Sequence, residues 1–250
     1  MGSTLQLIGQ RLRQARQSVG YTQEEVSQKL GITRDDLSLF ESGRKSPPIS
    51  LLRKLAKLYG VFVSYFYGID KLEGEGFTLL LEKAKELSLP PETISQLQRF
   101  TFLCGEIAKL RQKLGIPKPE IPQAVDSKNL VEFLESKGIP VIRMPLDKNL
   151  FSAMVYDENS GACILVNSGC SNLNQLVACE YAHILQGEKV HLNVAKANPT
   201  PQSKNSMPVS KVLWELVLTA LKQELISTSY AGDVLGISPM EVEEALLQRF

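Results

Sequence analysis

The stretch from Thr22 to Gly43 constrains this chain more than any other, because it spells two short helices, each with its own start and stop, joined by only a tight turn. Thr22 stands at an N-cap with Glu25 three residues on, the spacing of a reciprocal capping box, and Val26 and Leu30 give an apolar stripe that Gly31 ends. After Gly31-Ile32, Thr33 caps a second helix with Leu37 and Phe40 inward, and Gly43 closes it in the left-handed region. Helices are expected on both sides of this pair. Leu5, Ile8, Leu12 and Ala15 mark one buried face over Leu5 to Ser18, and Gly20 ends that helix. Beyond Pro47-Pro48 a fourth helix opens at Ser50 with Leu51, Leu52, Leu55, Ala56 and Tyr59 inward, and Val61 to Tyr67 reads as a short fifth. Residues 1–69 are therefore expected as a compact all-α domain of five helices.

A short helix, a tight turn and a second capped helix between supporting helices let one helix enter the major groove of DNA while its predecessor braces on the backbone. The words Tyr21-Thr22-Gln23-Glu24-Glu25-Val26, Leu30-Gly31-Ile32-Thr33-Arg34 and Leu37-Ser38-Leu39-Phe40-Glu41-Ser42-Gly43-Arg44 resemble the Cro/CI (XRE) family, and the match runs on to Leu55-Ala56-Lys57-Leu58-Tyr59-Gly60-Val61. The resemblance implies a lambda-repressor-like fold. It implies that Thr33, Arg34, Asp35 and Ser38 face base edges, that Thr22, Gln23, Arg44 and Lys45 hold phosphates, and that Arg16 pairs with Glu41. The chemistry agrees: an arginine at position 34 can donate twice to guanine, and Asp35 can accept from cytosine N4. Asp35 and Asp36 can equally serve the helix dipole as first-turn acids. Leu39 departs from the family pattern, standing where a polar residue is usual.

The formal net charge is only +1, which by itself argues against nucleic acid, but the average hides an asymmetry. Arg11, Arg13 and Arg16 precede any acid, and Arg44, Lys45, Arg53, Lys54 and Lys57 crowd one short span. Cys104, Cys163, Cys170 and Cys179 form no C-x-x-C pair, so neither a disulfide framework nor a zinc ribbon is indicated. No run is apolar enough to span a membrane and the N-terminus lacks the order of a signal peptide, so a cytoplasmic protein is expected.

Residues 70–122 are expected as a helical linker, with helices at about Thr78 to Leu87 and Pro91 to Leu114 and a proline-rich joint at Ile116 to Pro122. The stripe Ile94, Leu97, Phe100, Phe102, Leu103, Ile107 and Leu110 reads as packing, with a dimer surface as the alternative. From 123 to 250 the periodicity becomes α+β. A helix over Asn129 to Lys137, strands at Ile139 to Met144, Phe151 to Tyr156 and Cys163 to Val166, a turn at Asn159-Ser160-Gly161 and a helix over Asn172 to Gln186 are expected. Asn193 to Pro208 reads as a loop, followed by two or three helices. Ile226 to Leu246 loosely echoes the helix-turn-helix pattern, but Asp233, Glu241, Glu243 and Glu244 would repel phosphate there.

Lys137-Gly138-Ile139-Pro140-Val141-Ile142, the strand Ile164 to Asn167 and the helix Leu176 to Leu185 together resemble the ImmA/IrrE-type metallopeptidase domain. That resemblance implies a zincin-like fold and an H-E-x-x-H helix, with two imidazoles on zinc and the glutamate as general base. Here the helix reads Cys179-Glu180-Tyr181-Ala182-His183, so the first histidine is lost and Glu180 occupies the former base position. Cys179 and His183 remain candidate ligands, with Glu188 or His191 as a third, and zinc stays open as a cofactor. The plainer reading makes Leu176, Cys179 and His183 one semi-buried stripe with Cys179 as a small hydrophobe.

The overall expectation is an α+β chain without enzymatic activity. It would be a homodimeric, sequence-specific regulator of transcription, repressing from a palindromic operator, with a peptidase-derived second domain that takes a small ligand or a protein partner. Two further readings stay open. One is a zinc peptidase that cleaves a DNA-bound repressor, and the other an antitoxin-type regulator.

Overall fold

The computed structural model describes residues 4–69, 74–123, 129–194 and 210–248. The start of the expected helical linker, residues 70–73, and most of the loop expected at 193–208 lie outside these residues. The chain divides into two compact units, one of residues 1–72 and 84–102, the other of residues 73–83 and 103–250. The segment expected as a helical linker is thus shared between them.

In the first unit, α1 (Thr4–Val19), α2 (Gln23–Leu30), α3 (Arg34–Glu41), α4 (Ile49–Tyr59) and α5 (Val63–Phe66) form the five-helix bundle. Leu12, Val19, Val26, Leu37, Leu55, Tyr59, Phe62 and Phe66 are fully or almost fully buried in its core. The fourth helix begins one residue before the expected Ser50, because Pro48 is its N-cap and accepts the amides of Leu51 and Leu52 without any side-chain cap. The fifth is shorter than expected. The crossing of α1 and α3 is close enough that a Cβ added at Gly9 would meet the carbonyl oxygens of Phe40 and Glu41 at 2.6 and 2.8 Å. Backbone cannot swing aside as a long side chain can, so Gly9→Ala is expected to destabilise this unit by about 1–3 kcal/mol. That loss would arise although alanine is the better helix former by about 1 kcal/mol. Thermal unfolding followed by circular dichroism checks it, and an unchanged or higher midpoint would contradict the close crossing.

Two more helices, α6 (Glu75–Glu86) and α7 (Pro91–Leu114), follow. The apolar stripe of α7 is buried from Ile94 to Leu110, in keeping with the packing reading.

The second unit is built on a four-stranded sheet in the order β1-β3-β2-β4, with β1 (Val141–Met144), β2 (Leu150–Asp157), β3 (Gly161–Asn167) and β4 (Val190–Val194). β3 runs parallel to β1 and antiparallel to β2, which places Ile164 beside both Val141 and Met154. Every residue of β3 is buried, as a central strand covered on both faces must be. β4 corrects the sequence reading, which had no strand there; its short, half-buried run Val190-His191-Leu192-Asn193-Val194 pairs antiparallel with β2 from the sheet edge. α8 (Leu130–Ser136) and α9 (Leu173–Leu185) cover one face of the sheet through Leu134, Ile139, Met154, Ile164, Val177 and Tyr181. The chain ends in α10 (Lys211–Lys222), α11 (Thr228–Leu235) and α12 (Pro239–Gln248), each packed on the next. Among the described residues no helix is long and apolar enough to cross a membrane.

Candidate nucleic-acid interface

The α2–α3 pair is set by its caps. The Thr22 hydroxyl accepts the Glu25 amide at 3.2 Å while the Glu25 carboxylate accepts the Thr22 amide at 2.7 Å, which closes the expected capping box. Gly31 follows at φ 65°, ψ 36°, a left-handed turn that glycine adopts without strain. Thr33 then starts α3 by accepting the Asp36 amide at 3.0 Å. Because Leu37, Phe40 and Glu41 point inward, the helical period sends Arg34, Asp35, Ser38 and Leu39 outward, and all four are exposed.

The expected contact residues fall into two groups. Arg34, Asp35, Ser38 and Arg44 are exposed and make no side-chain hydrogen bond or ion pair among the described residues. They are free to meet a ligand. Thr22, Gln23, Thr33 and Lys45 are engaged internally instead. The Thr22 hydroxyl donates to Glu25 at 2.8 Å, Gln23 Nε2 donates to Glu41 at 2.9 Å, and Lys45 Nζ reaches Asp36 at 2.7 Å. Lys45 and Thr33 together hold the Asp36 carboxyl below its ordinary pKa, so Asp36 is an anion that serves the cap and the neighbouring cation. The outward place of Leu39, 37% exposed, follows from the phase set by Leu37 and Phe40.

Glu41 is the buttress behind this surface. Its side chain is fully buried and accepts Arg16 Nε at 2.6 Å, Arg16 Nη2 at 3.0 Å and the Gln23 amide, with Arg13 Nε at 3.6 Å. Arg16 Nη1 also donates to the Tyr21 carbonyl at 2.8 Å. One carboxylate therefore ties α1, the start of α2 and the end of α3 together, with the planar fork of arginine matched to it. The hydrogen bond to Glu41 raises the Arg16 pKa, and burial pushes the Tyr21 phenol up to about 12.

In the second unit the Cys179-Glu180-x-x-His183 residues do not converge. α9 buries Leu176, Val177, Glu180, Tyr181 and Ile184. Cys179 is exposed, which corrects the reading that set it in a semi-buried stripe: it lies one position outside the buried arc. The partial covering of its sulfur and the adjacent Glu180 raise its thiol pKa, which disfavours a free thiolate. Glu180 is wholly buried and both its oxygens are taken, one by the Ser152 hydroxyl at 2.6 Å and the other by His191 Nδ1 at 2.8 Å. His183 Nδ1 donates to Glu188 at 2.8 Å, which lowers the Glu188 pKa.

The rings of His183 and His191 stack with centroids 3.6 Å apart and planes 18° from parallel. Imidazole lone pairs lie in the ring plane, so nearly parallel rings send them side by side rather than to one point. That geometry does not suit a tetrahedral zinc site. Among the described residues no three His, Cys, Asp or Glu side chains are grouped to hold a metal ion. The pairing of His191 with Glu180 depends on β4, the strand that periodicity did not reveal.

A helix-turn-helix domain family model matches residues 7–62. The chain is 41% identical over 76 residues to the HTH-type transcriptional regulator ImmR of Bacillus subtilis, a match that spans 30% of this chain and 60% of ImmR. It is 37% identical over 103 residues to the uncharacterized HTH-type transcriptional regulator YobD of the same organism, covering 38% of this chain and 92% of YobD. Similarity to the HTH-type transcriptional regulator PuuR of Escherichia coli is 39% over 59 residues, 24% of this chain and 32% of PuuR. No solved structure matches the chain.

Proposed function

This chain belongs to the helix-turn-helix transcriptional regulators and is a DNA-binding regulator of transcription; from that premise we propose that α3 reads the major groove of a two-half-site operator as part of a homodimer. The observation that carries the reading is the exposed, unengaged set Arg34, Asp35 and Ser38 on a helix anchored from behind by Glu41. Arg34 donates to a guanine edge, Asp35 accepts from a cytosine amine, and Leu39 meets a thymine methyl. Arg44 grips phosphate. Thr22 and Gln23 meet the backbone through the amino end of α2, where peptide N–H groups and the helix dipole favour an anion, since their side chains serve the fold. Dimerisation follows from reach: one such module touches only a few base pairs, and two half-sites about one helical turn apart supply the rest of the specificity.

The second unit acts in this scheme as a sensing or docking module derived from an ImmA/IrrE-like, zincin-like ancestor, without peptidase chemistry. The enclosure of Glu180 supports this, because a general base needs a free oxygen facing a water. A small ligand or a protein partner at this unit would set the affinity of the reader, repression is the expected sign, and the cytoplasm is the expected compartment.

Selection from random duplex DNA tests the reading. The wild-type chain should yield a palindromic motif, and Arg34→Ala should relax one base in each half-site at a cost of about 1–3 kcal/mol. Arg44→Ala should weaken all sequences alike and reduce the salt slope by about one unit. A selected motif that is unchanged by Arg34→Ala would remove the assignment.

A further inference from the structure

The turn that builds the reader is built a second time. Ser227 caps the eight-residue α11 as Thr22 caps the eight-residue α2, and the N-caps of both helices and the glycine turn between them recur 205 positions later. Gly236 adopts φ 75°, ψ 24° against 65° and 36° at Gly31. The Ile237 amide bonds the Gly232 carbonyl at 3.0 Å as the Ile32 amide bonds that of Ser27 at 3.1 Å. Ser238 accepts the Glu241 amide at 3.2 Å as Thr33 accepts that of Asp36 at 3.0 Å. Ala231 and Val242 are buried where Val26 and Leu37 are. The small residue at Gly232 keeps the second turn tight, since a Cβ there would lie 2.8 Å from the Ile237 carbonyl oxygen.

The outward face is where the two copies part. The positions of α12 that correspond to Asp35, Ser38, Leu39 and Ser42 are Met240, Glu243, Glu244 and Leu247, and all are exposed, Met240 by 68% and Leu247 by 79%. Between 226 and 248 the chain carries Asp233, Glu241, Glu243 and Glu244 and no lysine or arginine. A duplex is repelled by such a face. Pairing of α12 with itself would set Glu243 and Glu244 against their own copies, a juxtaposition of like charge that an interface avoids. What fits is a surface that is basic with an apolar patch, and this chain owns one. Residues 4–69 hold ten lysines and arginines against five acids, and beside the exposed Leu39 the face of α3 carries Arg34 and Arg44, without side-chain partners among the described residues, against the acid Asp35.

We propose that the Met240–Glu243–Glu244–Leu247 face of α12 docks on the reading face of α3 in a second copy of the chain and competes there with DNA. The proposal rests on the assignment of α3 as reader. It makes the contact heterologous, head to tail, distinct from a two-fold dimer interface. Glu243 and Glu244 stand in for phosphates, while Met240 and Leu247 cover Leu39. The apolar half gives the contact a component that salt does not screen.

Sedimentation velocity of the 250-residue chain over a range of concentrations, with and without an excess of its selected duplex, tests this. The wild-type chain should self-associate beyond its basic oligomer, and duplex should disperse those larger species. The double variant Glu243→Gln/Glu244→Gln should weaken that association roughly tenfold and Glu243→Lys/Glu244→Lys should abolish it, since rim charge pairs contribute modestly one by one. An equimolar mixture of the lysine variant with Arg34→Glu/Arg44→Glu should recover a contact that neither forms alone, because each supplies the face the other lacks. Wild-type protein without the duplex-sensitive step, or the same step in the lysine variant, would overturn the proposal. Relief of DNA binding that is independent of protein concentration would overturn the second-copy assignment as well. If instead the wild type shows no preference for any duplex in the selection, the reader assignment fails, and that outcome does not involve α12.

Discussion

Replacing Glu41 with alanine should destabilise the amino-terminal unit by about 3–5 kcal/mol, the range for removing one partner of a buried charge pair. Glu41 is 3% exposed and Arg16, its bidentate partner, has a side chain only 11% exposed. Without the carboxylate, a guanidinium stays desolvated among α1, α2 and α3 with only the Tyr21 carbonyl to accept from it, and Gln23 loses its acceptor. The cost is that of an uncompensated charge rather than the worth of the pair itself. Replacing both partners at once by apolar residues, Arg16→Met with Glu41→Leu, should therefore restore most of the loss. Hydrogen exchange at the amides of α1 to α3 gives the measurement. Protection should fall by roughly two to four powers of ten in Glu41→Ala, since about 1.4 kcal/mol corresponds to each tenfold step. Duplex affinity should fall with it, because the end of α3 loses its tether. Unaltered protection in the single variant would show that the buried pair is not what holds the reader in place.

The second large effect separates a structural glutamate from a catalytic one. Glu180→Ala should cost the second unit about 2–4 kcal/mol, because the Ser152 hydroxyl and His191 lose a charged acceptor inside the packing of α9 on the sheet. A general base facing a cleft behaves the other way. Its replacement leaves stability level or raises it, since strained and unpaired groups at working sites are held at the expense of the fold. Trp214 is the only tryptophan and belongs to the second unit, so its fluorescence in urea follows this unfolding directly. A midpoint unchanged in Glu180→Ala, or a wild-type midpoint that rises on adding zinc, would reopen the peptidase reading.

Much of this architecture was legible in local chemistry. Thr22 with Glu25, Gly31 and Thr33 announced two helices and the turn between them, and all three reappear as hydrogen-bonded caps and a left-handed glycine. The long helix Pro91–Leu114 was legible to the residue. The pairing of Arg16 with Glu41, implied by the family resemblance, is present with bidentate geometry. β4 was not legible, because an edge strand of five residues with only Leu192 buried shows no strong alternation and exists through its pairing with β2. The exposure of Cys179 escaped for a related reason: the periodicity of α9 defines an arc but not its edge, and the sheet decides which neighbours are covered.

Capping and turn signals reside in residues three or four apart, so the amino acids alone determined where the reading helix starts, where it stops and which of its side chains share a face. Which of those side chains remain available was decided by contacts made across the chain. Gln23 answers to Glu41, 18 residues away, and Glu180 to Ser152, 28 residues away, and such partners are chosen by packing that no local pattern encodes.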